Sequence, residues 1–174
     1  MLYGPISLWD TSDITNMSGL FWNINTITFN EDISNWDTSN VTNMMAMFSR
    51  EVQFNQPIGK WNVAKVTDMS YMFYDAYSFN QPLEDWNVAN VSRMNFMFHD
   101  NYYFNQPLEK WNVAKVEDMS YMFVNACNFN QPLGNWDVAN VKDMTEMFRS
   151  AVRFNQPLNK WKISEAADLS FMFA

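Results

Sequence analysis

Carboxylates recur at one place along this chain. Asp68, Asp118, Asp143 and Asp168 share a position in a repeating pattern, Arg93 interrupts the series, and Asn16 and Asn43 precede it. Stacked oxygen donors suit Ca²⁺, a hard cation that takes carboxylate and carbonyl ligands. Asp118, Asp143 and Asp168 are therefore the residues that could hold one. Carboxylates one repeat apart repel each other without such a cation. The other reading is acids in the first turn of a helix, which the helix dipole favours. No EF-hand loop or Asp-rich nonapeptide accompanies the column, so no metal is expected. His99 and Cys127 are the only residues of their types, which leaves a metal set or a catalytic triad nothing to build from. His99 aligns with Tyr74 and Val124 and reads as a surface position. Cys127 aligns with Val52, Tyr77, Tyr102 and Val152, an apolar column that reads as packing. Glu84 and Asp85 are adjacent, without the apolar surroundings that split carboxyl pKa values. With no glycine-rich phosphate loop either, the expectation is a non-enzyme with no catalytic residues and no cofactor.

Side chains that could bind recur just as regularly. Tyr71, Phe96, Tyr121 and Phe171 share one column, broken by Glu146 and preceded by Ala46 and Gly19, and Tyr102 and Tyr103 follow in the next turn. Contiguous exposed aromatics mark interaction sites; the plainer reading is that they cover the back of each repeat. A second candidate surface is polar: Lys60, Asp85 and Lys110 in one column, Asn62, Asn87 and Asn112 in the next. Lys60, Asp85 and Lys110 would pair across neighbouring strands at about 0.2–1 kcal/mol each. Such a face could dock a protein or a glycan. The Asn column from Asn30 to Asn155 reads as a structural amide ladder.

These columns exist because the chain repeats. Phe54, Phe79, Phe104, Phe129 and Phe154 each open FNQP at intervals of 25 residues, and a tryptophan stands seven residues after each. A fixed period of that length signals a stacked array. The divisions fall near Trp9, Trp36, Trp61, Trp86, Trp111, Trp136 and Trp161, so residues 1–174 read as one unit of about seven coils. The spacing from Trp9 to Trp36 is 27, with the two extra residues between Phe21 and Phe29. The alternation in Leu83, Trp86 and Val88 predicts a strand. Val91, Met94, Met97 and Phe98 have helical or 3₁₀ spacing, and Thr15, Thr42, Thr67 and Ser92 stand where helix N-caps belong. The expected fold is an α/β repeat solenoid with a parallel β-sheet on one side and short helices on the other.

The string WNVAKVTDMSYMF followed by FNQPL resembles the BspA-like leucine-rich-repeat surface proteins, whose repeats are of the mycoplasma lipoprotein type. The resemblance covers nearly the whole chain. It implies a right-handed leucine-rich-repeat-like stack without catalysis, acting as a surface-exposed protein-interaction or adhesion module at the cell surface or outside the cell, or on a virion. No lipoprotein signal with its cysteine and no signal peptide is visible at the start.

Composition follows the columns: 12 of the 14 Met and 13 of the 15 Phe fall in two columns each. A net charge of −8 excludes non-specific nucleic-acid binding, which needs clustered cations. No apolar run reaches the ~20 residues of a membrane span. Neither terminal repeat carries the polar cap usual in such arrays. Two expectations follow: head-to-tail self-association through Leu2 and Phe173, giving a structural filament or surface layer, or a piece of a longer array.

Overall fold

The computed structural model describes residues 4–22 and 29–174. Repeats stack in register, as the columns require, but the elements are not those expected. Among the described residues the one helical element is a 3₁₀ turn, Ile6–Leu8, and there is no extended strand or sheet. Parallel pairing is confined to single bridges: Asn16 with Asn43, Asn43 with Asp68, and so on to Asp143 with Asp168. The α/β fold class and the leucine-rich-repeat solenoid are thereby corrected. The molecule is a stack of irregular coils made of tight turns.

Backbone hydrogen bonds give the reason. In the segment expected to be helical, the N–H groups of Met69, Tyr71, Phe73 and Asp75 donate to the carbonyls of Arg93, Asn95, Met97 and His99 in the next coil, at 3.0, 2.9, 3.0 and 2.8 Å. Met72 and Tyr74 between them, and Ala76 just after, donate three residues back within the coil. An α-helix would direct all of these groups to its own carbonyls four residues back. Left-handed backbone at Tyr71 (φ 58°) and Asp75 (φ 54°) interrupts any helix at each turn, and the next three coils repeat the pair at Phe96 and Asp100, Tyr121 and Asn125, and Glu146 and Ser150. The 3-3-1 apolar spacing is thus genuine, but it comes from consecutive turns.

The expected strand fails for a related reason. Trp86 N–H closes a turn on Leu83 and Val91 N–H closes one on Val88, which leaves too short a run to pair. Coils are joined there by side chains instead. The Trp111 indole Nε1 donates to the Leu83 carbonyl of the preceding coil at 2.9 Å, and Trp61, Trp86, Trp136 and Trp161 do the same one coil apart.

The core is a bundle of columns running the length of the stack. Leu83, Val91, Met94, Met97, Phe98 and Phe104 are wholly buried, and their equivalents in neighbouring coils nearly so. Ring planes stay parallel from coil to coil, with Trp86–Trp111 at 6.5 Å, Trp111–Trp136 at 6.4 Å and Phe73–Phe98 at 5.6 Å. The amide ladder lies outside this core. Asn80 Oδ1 accepts the Asn105 N–H (3.0 Å) and Gln106 Nε2 (3.1 Å), and the pattern repeats at Asn55 and Asn130. Each coil is therefore held to the next by backbone, indole and amide bonds at different points around its circuit.

Candidate functional site

The left-handed column carries the aromatic residues. Gly19 (φ 61°), Ala46 (55°), Tyr71 (58°), Phe96 (58°), Tyr121 (59°), Glu146 (53°) and Phe171 (55°) occupy equivalent positions. Glycine adopts this backbone freely, whereas other L-residues lose roughly 1–2 kcal/mol there. Tyr71, Phe96 and Tyr121 are half-buried, and they stack face to face, each 4.5 Å from the next with planes within 10°. Tyr74 and His99 lie beside them, Tyr74 5.8 Å from Tyr71 and His99 5.4 Å from Phe96, with 4.9 Å between the two. Burial raises the pKa of the Tyr71 hydroxyl, with the Asp118 charge and the neighbouring Tyr74 and Tyr121 adding to it, so that hydroxyl stays neutral across the ordinary pH range.

His99 is mostly covered, not the surface residue the alignment suggested; its side chain is 16% exposed. Nδ1 lies 2.9 Å from Asp100 Oδ2, an ion-pair distance without hydrogen-bond alignment. Burial lowers its pKa below the usual 6.5, against the opposing pull of Asp100, Asp75 and Glu146. Protonation therefore favours the unfolded chain, where the imidazole is solvated. Stability should be level above the unfolded pKa and fall as pH drops through it toward the folded value. Urea denaturation between pH 7.5 and 5.5 checks this: wild type should lose more stability over that window than His99→Gln.

Phe171 does not join the ridge. Glu146 separates it from Tyr121 and pairs with Arg149 at 2.8 Å, and Phe171 is 70% exposed. Tyr102 and Tyr103 form a different cluster with Tyr77, at 5.2 Å from Tyr77 in each case. Val52, Tyr77, Tyr102 and Val152 are exposed, so the column of Cys127 is a surface column and not packing. Phe173 is 64% exposed and stacks on Phe148 at 5.6 Å. Leu2 and most of the two-residue insertion lie outside the described residues.

The polar face loses its strands, so it is not a sheet. Lys110 pairs with Asp85 at 3.4 Å and with Glu84 at 3.2 Å, while Lys60 forms no ion pair among the described residues. Asn62, Asn87 and Asn112 each accept the N–H two residues on, from Ala64, Ala89 and Ala114. Their side-chain oxygens fix turns and do not present a docking row. The acidic column does the same work. Asp118 Oδ1 accepts the N–H and hydroxyl of Ser120 (2.9 and 2.7 Å), and Asp143 and Asp168 hold the N–H groups of Thr145 and Ser170 at 2.8 Å. Among the described residues no three His, Cys, Asp or Glu side chains converge as a metal site would require.

A cavity of ≈ 700 Å³ opens at the end of the ridge, lined by Gly19, Trp22, Met45, Ala46, Ser49, Arg50, Tyr71 and Tyr74 among others. Sequence reasoning passed over Trp22, Tyr74 and Arg50. The signal for the first two was the column three residues after the aromatic one, which runs Trp22, Ser49, Tyr74, His99. Arg50 occupies the second left-handed column (φ 67°) with Asp75, Asp100, Asn125 and Ser150, a backbone property invisible in residue types.

One family model matches the chain twice, over residues 2–107 and 82–174; it is described as a mycoplasma protein of unknown function, DUF285. No match was found among curated proteins or among solved structures. No helix among the described residues is long and apolar enough to cross a membrane.

Proposed function

We propose a binding role for this chain, which belongs to the DUF285 family: a non-catalytic, surface-exposed module for protein interaction or adhesion, of the BspA-like kind. BspA-like proteins carry this family's repeats, and the string WNVAKVTDMSYMF with FNQPL is the feature of this chain that resembles them.

One observation carries the reading. Tyr71, Phe96 and Tyr121 take a strained backbone position that Gly19 and Ala46 fill in earlier coils, and their rings stay half-exposed in one stack. Packing does not require them, because the Phe, Met and Trp columns already close the core. Large aromatic faces kept at the surface against a backbone cost are the residues that dominate protein interfaces.

Replacing Tyr71, Phe96 and Tyr121 together by Ser tests it. Adhesion of beads coated with the chain to cultured host cells should fall to the level of uncoated beads. Near-ultraviolet circular dichroism from the tryptophan column should persist, because none of the three side chains belongs to the buried core. Adhesion equal to wild type in a folded triple variant would sink the reading.

A further inference from the structure

The aromatic ridge stops one ring short of where its geometry could continue. Rings at Tyr121, Phe96 and Tyr71 advance 4.5 Å per coil. The next coil offers only Ala46 in that column and Ser49 in the neighbouring one. The coil beyond it is bridged in the same register, Asn16 to Asn43 and Asn43 to Asp68, and there the ring returns from a neighbouring position. Trp22 lies over Gly19: a β-carbon built on that glycine would stand 3.9 Å from both Cβ and Cε3 of Trp22. Trp22 and Tyr71 therefore stand on either side of a coil that has no ring of its own, and both line the cavity.

The width of that gap decides what fits. At the ridge's own step of 4.5 Å, the two steps from Tyr71 to the coil of Gly19 span about 9 Å, which is room for one more planar ring at stacking distance from each side. A pyranose has similar thickness, but the walls of the gap itself are Gly19, Met45, Ala46 and ring faces, which favour a flat apolar guest; Ser18, Ser49 and Arg50 also line the cavity. Charge narrows the choice further. Arg50 stands exposed at the rim and makes no ion pair among the described residues, although Asp75 lies near enough to feel its charge. In a chain of net charge −8, an exposed cation at the mouth of an apolar slot favours an anionic group on the guest.

We propose that the gap at Ala46, between Trp22 and Tyr71 and beside Arg50, binds one planar aromatic ring bearing a carboxylate. A protein C-terminus ending in an aromatic residue and a free aromatic acid share that chemistry. The site rests on reading the ridge as the binding face, and it names what the end of that face takes.

The test is calorimetric titration of the whole chain with N-acetyltryptophan. Saturable binding is expected, weakened several-fold with N-acetyltryptophanamide and at least about tenfold with N-acetylcyclohexylalanine, which keeps the charge but has no flat face. Ala46→Phe should place a ring in the slot, since Phe96 already adopts this backbone at φ 58°. It should lower affinity at least about tenfold and raise the Tm, so that occlusion is not mistaken for misfolding. Arg50→Gln should bind acid and amide alike. A peptide ending in tryptophan that binds more tightly than N-acetyltryptophan identifies a protein terminus as the guest; equal affinity identifies the free acid. Absence of saturable binding up to about 10 mM, or full binding by Ala46→Phe, overturns the proposal. Either result leaves the wider adhesion reading to the triple-serine experiment, which uses no aromatic acid.

Discussion

Trp111→Ala should cost about 3–5 kcal/mol of unfolding free energy in urea denaturation, the range for emptying a large buried aromatic site. Trp111 is 3% exposed. It stacks between Trp86 and Trp136 and touches Phe98 at 6.5 Å, so the hole opens onto both neighbouring coils and neither can close it alone. Its indole bond to Leu83 is a smaller part of the loss. The Leu83 carbonyl keeps the Trp86 N–H at 3.0 Å, so it is not left bare. Trp111→Phe separates the two contributions: it retains most of the stacking and gives up the indole donor, at about 1 kcal/mol from the hydrogen bond plus a modest packing term. In a one-dimensional stack, stability is a sum over coils and their interfaces. Trp9, 45% exposed and stacked on Trp36 at 6.5 Å, should therefore cost clearly less than Trp111 when cut to Ala. Equal losses at the two positions would mean that the column is not a shared core.

The stacking was legible in the sequence because it depends on residue type at fixed spacing. Burial selects Phe, Met, Trp and Val, and a strict 25-residue period brings like onto like, so Phe73 over Phe98 could be foreseen without knowing any dihedral angle. Local structure was not legible, for a physical reason. Met69, Met72 and Phe73 have the same spacing in a helix as in two successive turns, and only the destination of the backbone N–H groups separates them. Here alternate N–H groups leave the coil, which requires left-handed residues at Tyr71 and Asp75. Tyrosine and aspartate do not advertise that conformation as glycine does; Gly19, at the head of the first column, was the one visible hint. The same blindness affected the site. Tyr71, Phe96 and Tyr121 stack in one ridge, whereas Phe171, which shares their column in sequence, stands apart, because the break at Glu146 interrupts ring contact as well as residue type. Tyr102 and Tyr103 were attached to the wrong cluster because nearness along the chain does not determine which side of a coil a turn faces. The polar columns misled in the opposite sense: Asn62 and Asp118 look like displayed ligands, but their oxygens are already used by the N–H two residues on.

Deleting residues 79–103, one full repeat, should leave a cooperatively folded protein, whereas deleting residues 79–90 should not. The full deletion joins Ser78 to Phe104, so Met69, Tyr71, Phe73 and Asp75 would meet the carbonyls of Asp118, Ser120, Met122 and Val124. Those carbonyls already accept the equivalent N–H groups of Met94, Phe96, Phe98 and Asp100, at 2.9–3.0 Å. Trp61 would be followed by Trp111, and the Asn55 side chain would receive Asn105 as it now receives Asn80. The shorter deletion sets the Trp and Val positions of one coil against the Met and Phe positions of the next, which buries backbone groups without partners at about 1–3 kcal/mol each. The stack itself indicates that register, and not residue count, is what must be kept. The step from Asn16 to Asn43 spans 27 residues, yet it forms the same bridge as the 25-residue steps after it. Urea unfolding should show a single transition for the full-repeat deletion, with the slope reduced in proportion to the surface of one coil. Of the residues that line the cavity between Trp22 and Tyr71, the deletion removes only Phe96, and Tyr121 replaces it as the ring behind Tyr71. Binding of N-acetyltryptophan should therefore survive the loss of an entire repeat and disappear with the half-repeat deletion. A non-cooperative transition in the full-repeat variant would show that the coils are not interchangeable units, and that the columns owe their alignment to something other than the pairing of each coil with its neighbours.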